Sequence, residues 1–176
     1  MTSIRWGIIG PGNIAHKFAD GLKESKSGEL VAIASTNEVR RKSFGDKYNI
    51  DSTLRFSSYD ELVESSDIDA IYISTPHTLH AEWTIKAAGR GKHVLCEKPG
   101  AVNLKEGKQV IQAVQEAGVF YMEGFMYRCH PQIKTLLKLI REKHIGEIIS
   151  IKSSFGFDTG RTIPKSRLFN KELAGG

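Results

Sequence analysis

The feature that most constrains this chain lies near its start. The apolar run Ile4-Arg5-Trp6-Gly7-Ile8-Ile9 ends in Gly10-Pro11-Gly12-Asn13-Ile14-Ala15, and a segment with Ile14, Phe18 and Leu22 at helical spacing follows. That is the order strand, tight turn, helix. Gly10 permits the sharp turn. Gly12 has no side chain, so a pyrophosphate can approach the backbone, and Ala15 is small enough for the helix to pack on the strand. The helix start at Asn13 and Ile14 offers free N–H groups and the positive end of a dipole to phosphates. Gly10, Gly12, Asn13 and Ile14 are therefore candidate contacts to a dinucleotide. An ordinary strand-to-helix turn is the alternative. The placement between a strand and a helix at the chain start favours the dinucleotide.

Further strands and helices alternate behind this turn. Strands are expected at Leu30–Ala34, at Leu54 and Phe56, and at Ala70–Ser74, His93–Cys96 and Val119–Met122. Helices are expected at Asn13–Lys23, Val39–Lys47, from Ser58-x-x-Glu61 through Val63, at Thr78–Ala88, and from Asn103-x-x-Glu106 to Ala117. Alternation of this kind builds an α/β fold, a doubly wound parallel Rossmann sheet with its ligand at the switch point near the first and fourth strands. After Glu123 the rhythm changes. Pro131–Glu142 reads as a helix, and Ile148–Phe157 as a long, partly alternating strand. The expected division is a nucleotide-binding Rossmann domain over 1–123, then a hinge helix and first strand of an incomplete C-terminal α/β domain over 124–176.

Composition narrows the function classes. The chain has 176 residues, 40% hydrophobic and 26% charged, with a net charge of +5, as in a globular protein. Its 25 basic residues are spread along the chain, without the clustered basic stripe and exposed aromatics of a nucleic-acid surface. The two cysteines, Cys96 and Cys129, form no CxxC pair, so neither a metal site nor a disulfide framework is expected. No signal peptide and no membrane-spanning run are expected from the apolar patterning. The expectation is a cytoplasmic protein with a small-molecule substrate and no nucleic-acid or membrane partner.

Three strand ends carry chemistry. After the second strand comes Ser35-Thr36-Asn37, where an NAD site would place Asp or Glu for the ribose 2′-OH. Hydroxyls tolerate a 2′-phosphate, and Arg40, Arg41 and Lys42 follow within a helical turn. Ser35, Thr36 and Arg40 are the candidate readers of NADP; the alternative is a solvated basic helix face. Glu38 is the nearest acid and leaves NAD possible. After the fourth strand comes Ser74-Thr75-Pro76-His77, with Thr75, Pro76 and His77 facing the ligand crevice; His77 serves equally well as a helix cap. His80 is expected to pack or hydrogen-bond within the fold. After the fifth strand comes Cys96-Glu97-Lys98-Pro99. Glu97 can hold the Lys98 ammonium, Pro99 fixes the turn, and a fixed ammonium can stabilise negative charge on a substrate oxygen during hydride transfer. A surface ion pair is the bland alternative, and Cys96 is expected to be a small buried residue.

The ordered set Gly10-x-Gly12-x-x-Ala15, Ser74-Thr75-Pro76-His77, Gly91-Lys92-His93-Val94-Leu95-Cys96-Glu97-Lys98-Pro99 and Glu123–Pro131 resembles the Gfo/Idh/MocA oxidoreductase family. It is most similar to the branch holding glucose–fructose oxidoreductase and dimeric dihydrodiol dehydrogenase. The resemblance implies an NADP-dependent oxidoreductase acting on a sugar or related alcohol. It makes Lys98 the active-site lysine, places Glu97 at the cofactor, and puts Arg128 and His130 in the segment entering the active-site region, Arg128 as a cofactor-binding candidate and His130, with Lys98, as a substrate-region candidate. It also implies a homo-oligomer in the full-length form. Family members continue past a segment like Arg167–Gly176 into a motif supplying an acid-base tyrosine or histidine and an aspartate, and into a large open sheet. A nucleotide-binding module without turnover and an inactive truncated fragment are therefore further readings of this chain.

Overall fold

In the computed structural model, residues 3–156 and 170–174 are described. By contacts the chain divides into two units, Met1–Gly124 and Phe125–Gly176.

The first unit is built on six strands: β1 Ile4–Ile9, β2 Gly28–Ala34, β3 Arg55–Phe56, β4 Ala70–Ile73, β5 His93–Cys96 and β6 Tyr121–Glu123. They form one sheet in the order β3-β2-β1-β4-β5-β6, and all five neighbouring pairs are parallel. The helices between them are α1 Asn13–Lys23, α2 Glu38–Lys47, α3 Tyr59–Glu64, α4 His80–Gly89 and α5 Leu104–Ala117. This is the doubly wound plan read from the sequence.

Central strands of such a sheet are covered on both faces, so they read as continuous apolar runs rather than alternating ones. β1 shows the consequence. Ile8 packs with Ala15, Ala19, Ile33, Phe44 and Tyr72 on the face that α1 and α2 cover. Its neighbour Ile9 turns to the other face, with Leu62, Val63, Ile71, Ile73, Trp83 and Cys96. Ala15 is completely buried, so its small side chain seats α1 on the sheet.

Local signals set the helix ends. Ser58 and Glu61 form a reciprocal capping box at α3. Asn103 accepts from the Glu106 amide at α5, and Gly118 closes that helix with φ 64°. Boundaries shift elsewhere. β2 begins at Gly28, and the third strand is only Arg55–Phe56 behind a 3-10 turn at Ser52–Leu54. The last strand is Tyr121–Glu123 rather than Val119–Met122, because Cys96 of β5 pairs with Glu123.

The second unit contains a 3-10 turn at Met126–Cys129, helix α6 Pro131–Arg141 and a 3-10 turn at Lys171–Leu173. The strand expected over Ile148–Phe157 is not formed at 148–156, and Phe157 lies outside the described residues. Ile149 is 97% exposed and Ile151 79%. Alternation supplies a face to bury, but a strand also needs a neighbour for its N–H and C=O groups, and no strand is present among the described residues of this unit.

Candidate active site

The connections diverge between β1 and β4, so the carboxyl ends of these strands open the crevice where ligands of doubly wound sheets bind. Beyond Ile9 the chain turns at Gly10, with φ +88°; a Cβ there would lie 3.2 Å from the Ser74 carbonyl oxygen and 3.3 Å from the Thr75 nitrogen. Only glycine fits a left-handed turn against another strand's backbone. The turn is tied on both sides: the Gly10 N–H donates to the Ala34 carbonyl (3.1 Å) and the Ser74 hydroxyl to the Gly10 carbonyl (2.7 Å).

Gly12 caps α1 in extended geometry, without a side-chain cap and with no acid in the first turn. A Cβ on Gly12 would meet no heavy atom within 4 Å. The protein therefore does not itself require glycine at this position. The first N–H groups of the helix, at Asn13 and Ile14, have no intrahelical partner. Donors without a cap, beside a glycine that packing does not demand, fit a dinucleotide pyrophosphate.

At the end of β2, Ser35 is buried, and its hydroxyl accepts from the Asn37 amide at 3.2 Å. Asn37 is used as a helix cap, accepting from the Arg40 amide at 2.9 Å. Thr36 and Arg40 are exposed. The neighbouring Arg41 is half-buried, and its Nη1 donates to the Ser35 carbonyl at 2.6 Å. Sequence reasoning gave Arg41 no role of its own. Its distance in helical turns was legible, but its fold-back onto β2 was not.

At the end of β4, Thr75 is 3% exposed and its Oγ1 has no hydrogen-bond partner among the described residues. A buried hydroxyl left unpaired is costly, and its position at the switch point makes it a ready contact for a bound ribose or nicotinamide. Pro76 and His77 are half-buried. His77 opens a 3-10 turn, His77–Leu79, before α4, and does not cap the helix through its side chain.

At the end of β5 the Lys98–Pro99 peptide is cis. Cys96 is fully buried, and burial pushes its thiol up to about 12, which makes it an inert filler. Lys98 is exposed. Glu97 is engaged elsewhere: the Tyr72 hydroxyl donates to Glu97 Oε1 at 2.6 Å. Tyr72 is almost wholly buried, and desolvation first, then the Glu97 carboxylate, keeps its hydroxyl protonated well above the usual tyrosine range. What anchors the Lys98 loop is His80. This ring is fully buried, with Nδ1 2.7 Å from the Pro99 carbonyl oxygen and Nε2 2.9 Å from the Thr75 carbonyl oxygen. It joins the ends of β4 and β5.

Arg128 and His130 belong to the second unit and are exposed. His130 caps α6, its Nδ1 accepting from the Gln132 amide at 3.2 Å. The structure thus gathers Gly10, Gly12, Asn13, Ile14, Ser35, Thr75, Pro76, Glu97 and Lys98 along one edge of the first unit.

The family model of oxidoreductases with an NAD-binding Rossmann fold, Gfo/Idh/MocA, matches residues 4–125. The chain belongs to this family. Among its Gfo/Idh/MocA relatives, D-xylose 1-dehydrogenase (NADP(+)) 2 of Haloferax volcanii is 36% identical over 171 residues, covering 97% of this chain and 51% of the relative. Trans-1,2-dihydrobenzene-1,2-diol dehydrogenase of Mus musculus is 34% identical over 176 residues, covering 99% of this chain and 51% of the relative. KijD10, a 3-ketoreductase from Actinomadura kijaniata whose crystal structure is a complex with NADP, superposes with a TM-score of 0.74 at 35% identity, over 83% of this chain and 46% of that one. The chain spans about half the length of the curated relatives it matches. No helix among the described residues is long and apolar enough to cross a membrane.

Proposed function

We propose that this chain is the cofactor-binding part of an NADP-dependent oxidoreductase that transfers a hydride between a nicotinamide and a sugar or related alcohol, such as a dihydrodiol. The observation that carries the reading is the carboxyl edge of the sheet. An uncapped helix start with vacant space above Gly12, a buried unpaired Thr75 hydroxyl and the exposed Lys98 stand along one edge. Gly10 and Gly12 with the Asn13 and Ile14 amides would hold the pyrophosphate. Ser35, Thr36 and Arg40 would face the adenosine ribose, where the absence of an acid at positions 35–37 favours NADP over NAD. Thr75, Pro76, His77 and Glu97 would line the nicotinamide side.

When bound, the nicotinamide supplies or accepts the hydride. Lys98 would donate a hydrogen bond to the substrate oxygen, stabilising negative charge there as it develops. His80 and Tyr72 hold the loop and the carboxylate on either side of it. In this reading residues 1–123 form the cofactor domain, 124–176 begin a second domain carrying Arg128, a cofactor-binding candidate, and His130, a substrate-region candidate, and the whole protein is a cytoplasmic homo-oligomer. The relatives named above, with sugar and dihydrodiol activities, support the substrate class.

Fluorescence titration of the chain with NADPH and NADH at one salt concentration tests the cofactor assignment. Saturable binding with NADPH tighter is expected; no binding, equal affinities or a preference for NADH would overturn it. In the longest form of the protein, Lys98→Met should lower turnover by about a hundredfold, as for loss of one preorganised donor, with cofactor affinity little changed.

A further inference from the structure

We propose that Glu123 is a positioning residue for Lys98, acting through the backbone of the loop that carries it. The inference rests on the active-site reading of Lys98 and deepens it. Lys98 lies past Cys96, the last paired residue of β5, so no ladder bond places it. Two residues beyond Lys98, the Gly100 N–H donates to Glu123 Oε1 at 2.8 Å. Glu123 is the last residue of β6 and pairs with Cys96. The next amide, that of Gly124, donates to the Cys96 carbonyl at 2.7 Å. The carboxylate therefore reaches the loop from a fixed strand end.

This bond completes a clamp on one peptide unit. The Pro99 carbonyl oxygen lies 2.7 Å from His80 Nδ1, and the N–H of the same unit is held by Glu123. The C=O and N–H of a planar trans peptide point in opposite directions. The unit is thus gripped from α4 on one side and from β6 on the other. His80 alone would leave it free to swing about a single contact. The Pro99 ring fixes its own φ, so few free torsions separate the clamped plane from the Lys98 backbone. The Lys98 side chain is exposed. Fixing its root is what the fold can do before a substrate arrives.

Packing around the clamp agrees. Gly100 is buried, and a Cβ there would collide with the Tyr121 hydroxyl on β6. The loop therefore lies directly against that strand. A carboxylate is a strong acceptor for a backbone amide, and hydrogen bonding offsets the cost of half-burying it. Glu123 and Gly100 also border an open cavity beside α5. Shortening the Glu123 side chain would let water reach the Gly100 amide, so the fold survives while the orientation of the loop is lost.

Two measurements test the proposal. In the 176-residue chain with its lysines reductively 13C-methylated, which keeps their charge, the Lys98 NMR signal is assigned by its loss in Lys98→Met. That signal should shift in Glu123→Ala and stay in place in Glu123→Gln, which retains an oxygen acceptor. The other lysine signals should hold still in both variants. An unmoved Lys98 signal in Glu123→Ala would overturn the proposal, and so would shifts spread over many lysines, which mark a structural role only. The second measurement is turnover of D-xylose or trans-1,2-dihydrobenzene-1,2-diol with NADP in the longest form of the protein. Glu123→Ala should lower kcat by about ten- to a hundredfold, as for misplacement of a catalytic group by about 1 Å. KM for NADP should change little, and Glu123→Gln should restore most of the rate. Added to Lys98→Met, Glu123→Ala should cost no more than about a further twofold, because both changes act on one group. Losses that multiply would show that Glu123 acts elsewhere, and the proposal would fall with Lys98 still catalytic. If Lys98→Met leaves turnover unchanged, the active-site reading fails and the proposal with it.

Discussion

Gly12→Ala separates the two readings of the glycine turn. Gly12 has φ −86° and ψ 179°, which alanine adopts freely, and the added Cβ would touch nothing within 4 Å. Restricting the unfolded chain stabilises by about 0.4–1 kcal/mol, while alanine is a poorer helix cap by a comparable amount, about 0.5–1 kcal/mol. The two effects nearly cancel, so unfolding should change by less than about 1 kcal/mol. Binding should not be spared. The methyl group would project into the space a pyrophosphate needs and hold it off the Asn13 and Ile14 amides. Losing one charge-assisted hydrogen bond of about 1.5–3 kcal/mol lowers affinity by about ten- to a hundredfold. Gly10→Ala is the contrasting variant. Its φ of +88° and the 3.2 Å approach to the Ser74 carbonyl cost about 1–2 kcal/mol in strain before the clash is relieved, so stability and binding should fall together. Thermal unfolding and NADPH titration, run on both variants, give the answer. A Gly12→Ala protein that binds NADPH as the original does would show that the turn only connects a strand to a helix.

Tyr72→Phe should cost about 1 kcal/mol of stability by denaturant unfolding, because it removes one largely buried hydrogen bond to Glu97; an unchanged midpoint would show that Glu97 finds an equal partner. Asp69 gives a pH dependence of definite sign. The Arg5 side chain, then its amide, holds the Asp69 carboxyl at about 2, below the ordinary 3.8. The stability from this depression is complete above 3.8 and is lost as pH falls through about 2. Discounted for a carboxylate that is 38% exposed, it amounts to about 1 kcal/mol. Asp69→Asn should therefore be destabilising near neutral pH and nearly silent near pH 2, and an equal effect at both would refute the ionic origin.

What could be read from the sequence was local. The apolar runs of β1, β4 and β5 and the Ser58, Asn103 and Gly118 helix signals act within a turn or two, and the elements stand where those residues put them. The glycine turn, the Lys98–Pro99 bend and the burial of Cys96 and His80 were legible for the same reason. Pairings across the sheet were not. Glu97 was expected to steady Lys98 beside it in sequence, yet successive residues of an extended segment point to opposite sides, and Glu97 turns to Tyr72 on the next strand. Arg41 was indistinguishable from Arg40 until the helix direction placed one at the strand end and the other in solvent. Ile148–Phe157 carried a strand's alternation, but the partner that makes such a segment a strand is not encoded in the segment itself.

His80 explains how the two ends of the proposed site would keep a fixed spacing. The cradle hangs on β1 and β4, and Lys98 on β5. Ladder hydrogen bonds align the strands only to their last paired residues, Ile73 and Cys96, and the segments carrying Thr75 and Lys98 lie beyond. A loop there would ordinarily drift. The buried ring of His80 spans the gap, reaching the Thr75 carbonyl on one side and the Pro99 carbonyl on the other. Because Ser74 is itself bonded to Gly10, one chain of contacts runs from the glycine turn through Thr75 and His80 to the residue after Lys98. Every link lies within the first unit. The edge is therefore preformed by that unit's own packing, and a dinucleotide arriving there need not order it.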